Sequence, residues 1–160
     1  MNADLTTAIE LRKNKKPEEA LAILSRLLKA SPSDPDINYQ IAWTYDSMGK
    51  ESEAAPFYEK AIANGLTNDR EGAMLGLGST YRCLGDYENS LKMFNQAITE
   101  FPENRALKVF RALTLFNLGE AEESVGQLLM QLIDTTSDST IKFYDGALRL
   151  FSDKLRETWT

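Results

Sequence analysis

The sequence predicts an all-α fold built from four consecutive helical hairpins and one closing helix. Three observations predict it. A glycine-centred motif recurs with a period of 34 residues, apolar residues fall at helical spacing on both sides of each glycine, and the last segment carries a single apolar stripe. The chain has 160 residues, long enough for one short repeat array with a continuous apolar core.

The repeat is anchored by glycines that follow an aromatic or aliphatic residue by four positions. Gly49, Gly85 and Gly119 lie 36 and 34 residues apart, because two extra residues occur between Gly65 and Arg70. One period before the first motif, Leu11, Ala20, Leu24 and Leu28 recur at the matching positions, with Lys15 in place of the glycine. The predicted copies therefore span residues 1–34, 35–70, 71–104 and 105–138.

Each copy has the pattern of a helical hairpin. In the second copy, apolar residues at helical spacing lie before the glycine and again after it: Ile37, Ile41, Tyr45, Ala54, Tyr58 and Ala61. The glycine suits a left-handed cap at the end of the first helix. Small residues in matching columns, such as Ala42 and Ala54, predict close approach of the paired helices.

Local residue types predict helix boundaries. Asp34 before Pro35 predicts a capped first turn, and Asn68 three residues before Glu71 predicts a reciprocal cap. Pro56 lies about a turn inside the predicted second helix of its copy, so that helix is expected either to start late or to bend there.

The closing segment is predicted to be one helix over residues 139–158. Its apolar residues are spaced three and four apart: Ile141, Tyr144, Leu148, Phe151 and Leu155. Phe143 and Leu150 lie on a neighbouring flank and add more apolar surface than a closing helix requires. We therefore expect this helix to cover the end of the array, with a homodimer through Phe143 and Leu150 as the alternative role.

Composition excludes several functional classes. The net charge of −6 and pI of about 4.8, without a basic stripe, disfavour nucleic acid and anionic membranes as partners. The N-terminus has no basic segment followed by an apolar run, and no stretch reaches the roughly 20 apolar residues of a membrane span. The lone Cys83 is expected to be reduced and packed. These features predict a cytoplasmic protein.

The residues also argue against catalysis, a cofactor or a metal site. Histidine is absent, so Cys83 has no triad partner. Acidic pairs such as Glu18 with Glu19 lie at predicted helix starts, where the helix dipole stabilises them. Gly72, Gly76 and Gly78 lie within a predicted helix and not between a strand and a helix, so nucleotide binding is disfavoured.

These columns resemble the tetratricopeptide repeat. The best matches are Ile41-Ala42-x2-Tyr45…Ala54-x3-Tyr58 and Leu77-Gly78-x2-Tyr81…Ser90-x3-Phe94…Pro102. The stretch 75–81 also resembles a small bacterial branch of the family. The resemblance covers about residues 1–138 and implies a right-handed α-α superhelix that binds proteins. The column that holds tryptophan in the family departs from the pattern, with Asp4, Asn38, Met74 and Lys108.

The resemblance implies a concave groove lined by the first helix of each copy. The expected partner-binding residues mix aromatic and aliphatic side chains with two arginines: Arg12, Tyr39, Trp43, Arg82, Val109, Leu113 and Phe116. Aromatic anchors and guanidinium groups are typical of recognition surfaces. Trp43 and Phe116 have an alternative interpretation as core residues.

The partner expected for this groove is a peptide or protein segment with apolar anchors. Some family members hold a partner's C-terminal carboxylate with lysines and asparagines. Those positions here hold Leu5, Ile9, Gln40, Gly72 and Gly76, so binding of a charged tail is disfavoured. The leading hypothesis is a non-enzymatic adaptor or scaffold, and the alternative is a self-assembling homodimer.

Overall fold

A computed structural model describes residues 3–159, which form ten helices and no strand. Eight helices alternate with short turns, and two short helices follow. Their bounds are α1 (Ala3–Lys13), α2 (Pro17–Ala30), α3 (Pro35–Asp46), α4 (Glu51–Ala63), α5 (Arg70–Cys83), α6 (Tyr87–Glu100), α7 (Arg105–Asn117), α8 (Ala121–Thr135), α9 (Ser139–Phe143) and α10 (Asp145–Phe151). The predicted all-α class is therefore confirmed.

The helices group into two compact units, Met1–Asp86 and Tyr87–Thr160. In the first unit, α1 packs against α2 and α3 against α4, while α3 also contacts α2 and α5. In the second unit, α7 packs against α6 and α8, and α10 packs against α8. The boundary falls in the turn between the two helices of the third predicted copy.

The turns between paired helices use a left-handed residue, as predicted. Gly49, Gly85 and Gly119 have φ angles of 67°, 79° and 87°. Lys15, which takes the glycine's place in the first copy, has a φ of 60°. A side chain makes this conformation unfavourable, so the first hairpin closes despite local strain.

One predicted helix start is confirmed and one is wrong. The Asp34 carboxylate accepts a hydrogen bond from the Ile37 amide at 3.0 Å, with Pro35 in the first turn. Asn68 does not cap α5. Asp69 intervenes in a left-handed conformation with a φ of 56°, and the Asn68 amide instead donates to Asp36. The left-handed residue separates Asn68 from the first turn of the helix.

Pro56 does not delay its helix. The helix α4 begins at Glu51 and continues through the proline to Ala63. Pro56 is exposed to solvent, where water can hydrogen-bond the carbonyl that loses its intrahelical partner. Of the two expectations for this helix, the late start is therefore wrong, and a bend at Pro56 stays a prediction.

The core of the first unit depends on small residues between helices. Ala42 of α3 and Ala54 of α4 are fully buried, which confirms the predicted close approach of these helices. On α5, Gly76 packs against the ring of Tyr58. A Cβ at Gly76 would lie 2.6 Å from the Tyr58 Cζ atom, so no other residue fits there without displacing the ring.

The closing segment differs from the predicted single helix. The short helices α9 and α10 are separated at Tyr144, whose φ and ψ of −101° and 15° lie outside helical values. A glycine at position 146 also weakens helix propensity there. The Ser152 carbonyl packs against α8 so closely that a Cβ at Gly126 would overlap it.

Two further findings concern the surface. Cys83 is exposed, so the expectation of a packed cysteine is wrong, because the last turn of α5 presents this residue to solvent. Within the described residues, no helix combines the length and the apolar character needed to cross a bilayer.

Replacing Lys15 with glycine should stabilise the protein. Removing the side chain relieves the left-handed strain, and the free energy of unfolding should rise by about 1 kcal/mol. Urea denaturation measures the change. Lys92, exposed in the interior of α6, is the matched control, and Lys92→Gly should lower stability by about 1 kcal/mol. Equal losses in both variants would contradict the strain at Lys15.

Gly76→Ala should destabilise the first unit by about 2 kcal/mol, because the added methyl group forces the Tyr58 ring to move. Thermal unfolding checks this. Gly146, in α10, is the matched control, because a Cβ added there would meet no other atom within 4 Å. Gly146→Ala should be neutral or slightly stabilising. Similar effects at the two glycines would show that the contact with Tyr58 is not tight.

Candidate functional site

An aromatic cluster in the first unit connects α3 with α4. Tyr39 and Trp43 lie four residues apart on α3, and their ring centroids are 5.6 Å apart. The centroid of the Tyr58 ring, from α4, lies 6.1 Å from that of Tyr39. Tyr39 and Tyr58 are buried, whereas Trp43 keeps 39% of its surface accessible. The two tyrosines therefore support an exposed tryptophan.

Arg12 of α1 covers the Trp43 ring. Its guanidinium carbon lies 3.7 Å from the ring centroid, and its Nη2 donates to Gln40 Oε1 at 2.9 Å. The buried Arg12 Nε has no hydrogen-bond partner among the described residues. Burial lowers the pKa of Arg12, although an arginine stays charged at any physiological pH. We call Arg12, Gln40 and Trp43 the Arg–Trp platform.

Two carboxylates accept hydrogen bonds from the buried tyrosines. Tyr39 donates to Asp69 Oδ2 at 2.5 Å, and Tyr58 donates to Asp46 Oδ2 at 3.2 Å. Burial and the neighbouring carboxylates raise the pKa of both tyrosines above 10, so both remain neutral donors. Burial also raises the pKa of Asp46, partly offset by the Tyr58 hydrogen bond. These bonds fix the orientation of both rings.

A pocket of about 700 Å³ adjoins the Arg–Trp platform. Gln40 belongs to the platform and also lines the pocket, and Tyr39, another lining residue, contacts Trp43. The platform and the pocket are therefore continuous. The other lining residues on α1, α2 and α3 are mostly apolar. Those near the start of α3 and just before α5 carry carboxylate or amide side chains. These other lining residues are Leu5, Ile9, Leu27, Ala30, Ser31, Asp34, Asp36, Ile37, Asn68 and Asp69. We call this cavity the acidic-rim pocket.

The structure separates the predicted groove residues into distinct environments. Trp43 is at the surface and is not a core residue. Tyr39, expected to face a partner, is instead buried, with 3% of its surface accessible, because it is packed between Trp43 and Tyr58. Arg82 is half-buried on α5. In the first unit, the platform brings together Arg12 and Trp43, with Tyr39 beneath them.

The other predicted residues lie on α7 in the second unit. Val109 is half-buried, Leu113 is exposed and Phe116 keeps 65% of its surface accessible. Their spacing of four and three residues places them on one face of the helix. Phe116 is therefore not a core residue, and α7 presents a short apolar stripe.

Sequence reasoning missed the carboxylates of the pocket. Asp36 and Asp69 occur at helix starts, where acidic residues usually have a structural explanation. The available signal was the two-residue insertion between Gly65 and Arg70, which gives room for the left-handed Asp69. Among residues 3–159, no group of three or more histidine, cysteine or acidic residues could hold a metal ion.

A family model described as the tetratrico peptide repeat matches residues 35–148 of this chain. The chain belongs to the tetratricopeptide repeat family. This match extends over more than half of the sequence and includes the copy that carries the aromatic cluster. The match confirms the predicted resemblance of this chain to the tetratricopeptide repeat, and it confirms the helical solenoid fold that the resemblance implied.

Two curated proteins are similar to this chain in sequence over part of their length. Superkiller protein 3 of Saccharomyces cerevisiae is 29% identical over 115 residues, covering 68% of this chain and 8% of that protein. The TPR repeat-containing protein MJ0263 of Methanocaldococcus jannaschii is 26% identical over 87 residues, covering 52% of this chain and 27% of that protein. The chain thus spans less than a third of the length of either relative.

Among solved structures, YrrB has a TM-score of 0.74 and 20% identity, covering 96% of this chain and 78% of that chain. It is described as a tetratricopeptide repeat protein with an unusual peptide-binding site. At this identity, the likeness supports the fold alone.

Asp46→Asn should change how stability depends on pH. Because the pKa of Asp46 is raised above 3.8 in the folded protein, its contribution is fully present below that pH and is lost as the pH rises through the folded value. The variant lacks this loss, so its stability relative to the wild type should be higher at neutral pH than at about pH 3. Urea midpoints at both pH values measure the difference. A difference that does not vary with pH would contradict the raised pKa.

Proposed function

We propose that this protein is an adaptor whose first unit binds an apolar peptide segment of a partner protein at the Arg–Trp platform. The family's fold is generally a non-catalytic protein-interaction module. The observation that carries the proposal is the exposed Trp43 ring, which contacts a buried tyrosine and a half-buried arginine beside a pocket with apolar lining residues.

The platform has the properties of a binding surface that is ordered before its partner arrives. Trp43 offers a large, rigid contact area, which dominates affinity in many interfaces. Its ring contacts both the Tyr39 ring and the Arg12 guanidinium, so little side-chain freedom is lost on binding. The Arg12 Nε lacks a partner among the described residues, and a peptide carbonyl could satisfy it.

The surrounding surfaces favour apolar anchors over a charged tail. Some family members bind a partner's carboxylate at positions that hold Leu5, Ile9 and Gln40 in the first unit of this chain. These three residues line the acidic-rim pocket. YrrB, which shares the fold, is described as having a peptide-binding site. Arg82 and the α7 stripe of Val109, Leu113 and Phe116 are proposed as further contacts for the same class of partner.

The cysteine content and the net charge bear on the cellular location and on the class of partner. We propose a non-enzymatic bacterial protein of the cytoplasm, because a single exposed cysteine is compatible with a reducing compartment. Its acidic surface, with a net charge of −6, makes nucleic acid and anionic membranes unfavourable partners.

Self-association is a second candidate function. Phe143 keeps 81% of its surface accessible and packs edge-to-face against Tyr144, with ring centroids 5.0 Å apart. Leu150 of α10 is also exposed. Large exposed apolar side chains on short neighbouring helices are typical of interaction surfaces, and a second copy of the chain is one partner for them.

Trp43→Ala should weaken partner binding at least tenfold while changing the free energy of unfolding by less than about 1 kcal/mol, because the ring is exposed. Binding is measured by fluorescence anisotropy with a labelled leucine-rich peptide pool, and by affinity capture from native lysate. Trp159, 60% exposed near the C-terminus, is the matched control, and Trp159→Ala should bind normally. A Trp43→Ala protein that unfolds would show that the ring belongs to the core.

Light scattering during chromatography tests the dimer. If the closing helices mediate self-association, the wild type should exceed the monomer mass of 18.0 kDa at high concentration, and Phe143→Glu should restore the monomer mass by placing a charge in the interface. A wild-type monomer at all concentrations would eliminate this candidate.

A further inference from the structure

We propose that the acidic-rim pocket selects partner segments that carry a lysine or arginine beside an apolar residue. This inference rests on the proposed peptide-binding function and specifies the chemistry of the peptide. It depends on two parts of one cavity that differ in character, an apolar floor and an anionic rim.

The floor of the pocket is built from aliphatic side chains of three helices. Leu5 and Ile9 come from α1, Leu27 from α2 and Ile37 from α3. Leu5, Leu27 and Ile37 are buried members of the core cluster, and Ile9 packs against it. The floor is therefore rigid and apolar, and it suits the methylene stem of a long side chain or an aliphatic side chain.

The rim carries three carboxylates and, within the lining, no basic residue. One oxygen of each is already engaged. Asp34 accepts from the Ile37 amide, Asp36 accepts from Asn68, and Asp69 accepts from the Tyr39 hydroxyl. The second oxygen of each carboxylate has no partner among residues 3–159, so it can accept hydrogen bonds from a ligand.

Asp69 is held in place by its surroundings. It precedes α5 without capping the helix, and its carboxylate is directed to the Tyr39 hydroxyl. The carboxylate also lies directly over Gly72, where a Cβ would be 2.6 Å from Asp69 Oδ1. A residue that served only to start the helix would be expected to cap its amides.

Charge complementarity identifies the occupant. A lysine or arginine side chain can lay its apolar stem on the floor and place its cation at the rim, where Asp34 and Asp36 are half-buried and Asp69 is exposed. A glutamate or a C-terminal carboxylate would be repelled there. At the platform, the Arg12 Nε has no partner among the described residues and favours a carbonyl oxygen of the peptide. The platform therefore selects a hydrogen-bond acceptor, and the pocket rim selects a cation.

The test compares three fluorescein-labelled peptide pools of equal length and equal leucine content that differ in one residue type, lysine, glutamate or alanine. Anisotropy titrations use the full-length protein at low and high salt. We expect the lysine pool to bind about tenfold tighter than the glutamate pool, with alanine between them, and to lose most of this preference at high salt.

Asp36→Asn combined with Asp69→Asn removes the charge while conserving shape. Asparagine accepts the same hydrogen bonds and tolerates the left-handed conformation of residue 69. This double variant should bind the lysine and alanine pools equally. Glu18→Gln combined with Glu19→Gln makes the same change in net charge on α2, outside the pocket lining, and should retain the preference for lysine.

The outcomes distinguish this inference from the function on which it rests. If all pools bind with equal affinity and Trp43→Ala abolishes that binding, the inference is overturned and the peptide-binding function stands. If no pool binds, both are overturned. If the double variant abolishes dimerisation of the free protein, the pocket takes a second copy of the chain and the inference is again overturned.

Discussion

The contact between the Tyr58 ring and Gly76 determines the arrangement of the first unit. Because α5 has no side chain at this position, the ring reaches its backbone and is fully buried. Tyr39 packs against Tyr58 and against Trp43, and Trp43 is the ring that reaches the surface. A single glycine thus accommodates a cluster of three aromatic residues that extends from the core to the solvent.

Buried hydroxyl groups then fix the orientation of the two tyrosines in this cluster. Each tyrosine needs a hydrogen-bond acceptor once it is removed from water, and each finds a carboxylate, Asp69 for Tyr39 and Asp46 for Tyr58. The hydrogen bond from Tyr39 to Asp69 links the aromatic cluster to the acidic-rim pocket. The packing requirement of the core therefore also positions the charged groups that we propose for recognition.

Most of the fold was predictable because repeats are specified locally. The period, the helix spacing and the left-handed turns depend on residues within one copy, and the turn geometry holds even where Lys15 replaces glycine. The start of α3 was predictable for the same reason, since Asp34 and Pro35 act on their own first turn.

The site was less predictable because it depends on contacts between helices and on a residue in the turn before α5. Helical spacing places Tyr39 and Trp43 on the same face, but it does not indicate which ring a neighbouring helix covers. The role of Asp69 arises from the hydroxyl of Tyr39, which lies far earlier in the chain. The exposure of Cys83 likewise depends on which face of α5 its neighbours cover. The break at Tyr144 adjoins Gly146, a residue of low helix propensity that the regular apolar pattern does not reveal.

The most direct test of the central claim is the resonance of the Arg12 Nε–H group in a ¹H–¹⁵N spectrum of the free protein, assigned by its loss in Arg12→Lys. A guanidinium held over the face of Trp43 should show an upfield proton shift from the indole ring current, which disappears in Trp43→Ala. Adding the lysine–leucine peptide pool should move this resonance again. A resonance at the position of a solvent-exposed arginine, unchanged in Trp43→Ala and on peptide addition, would contradict an ordered Arg–Trp platform.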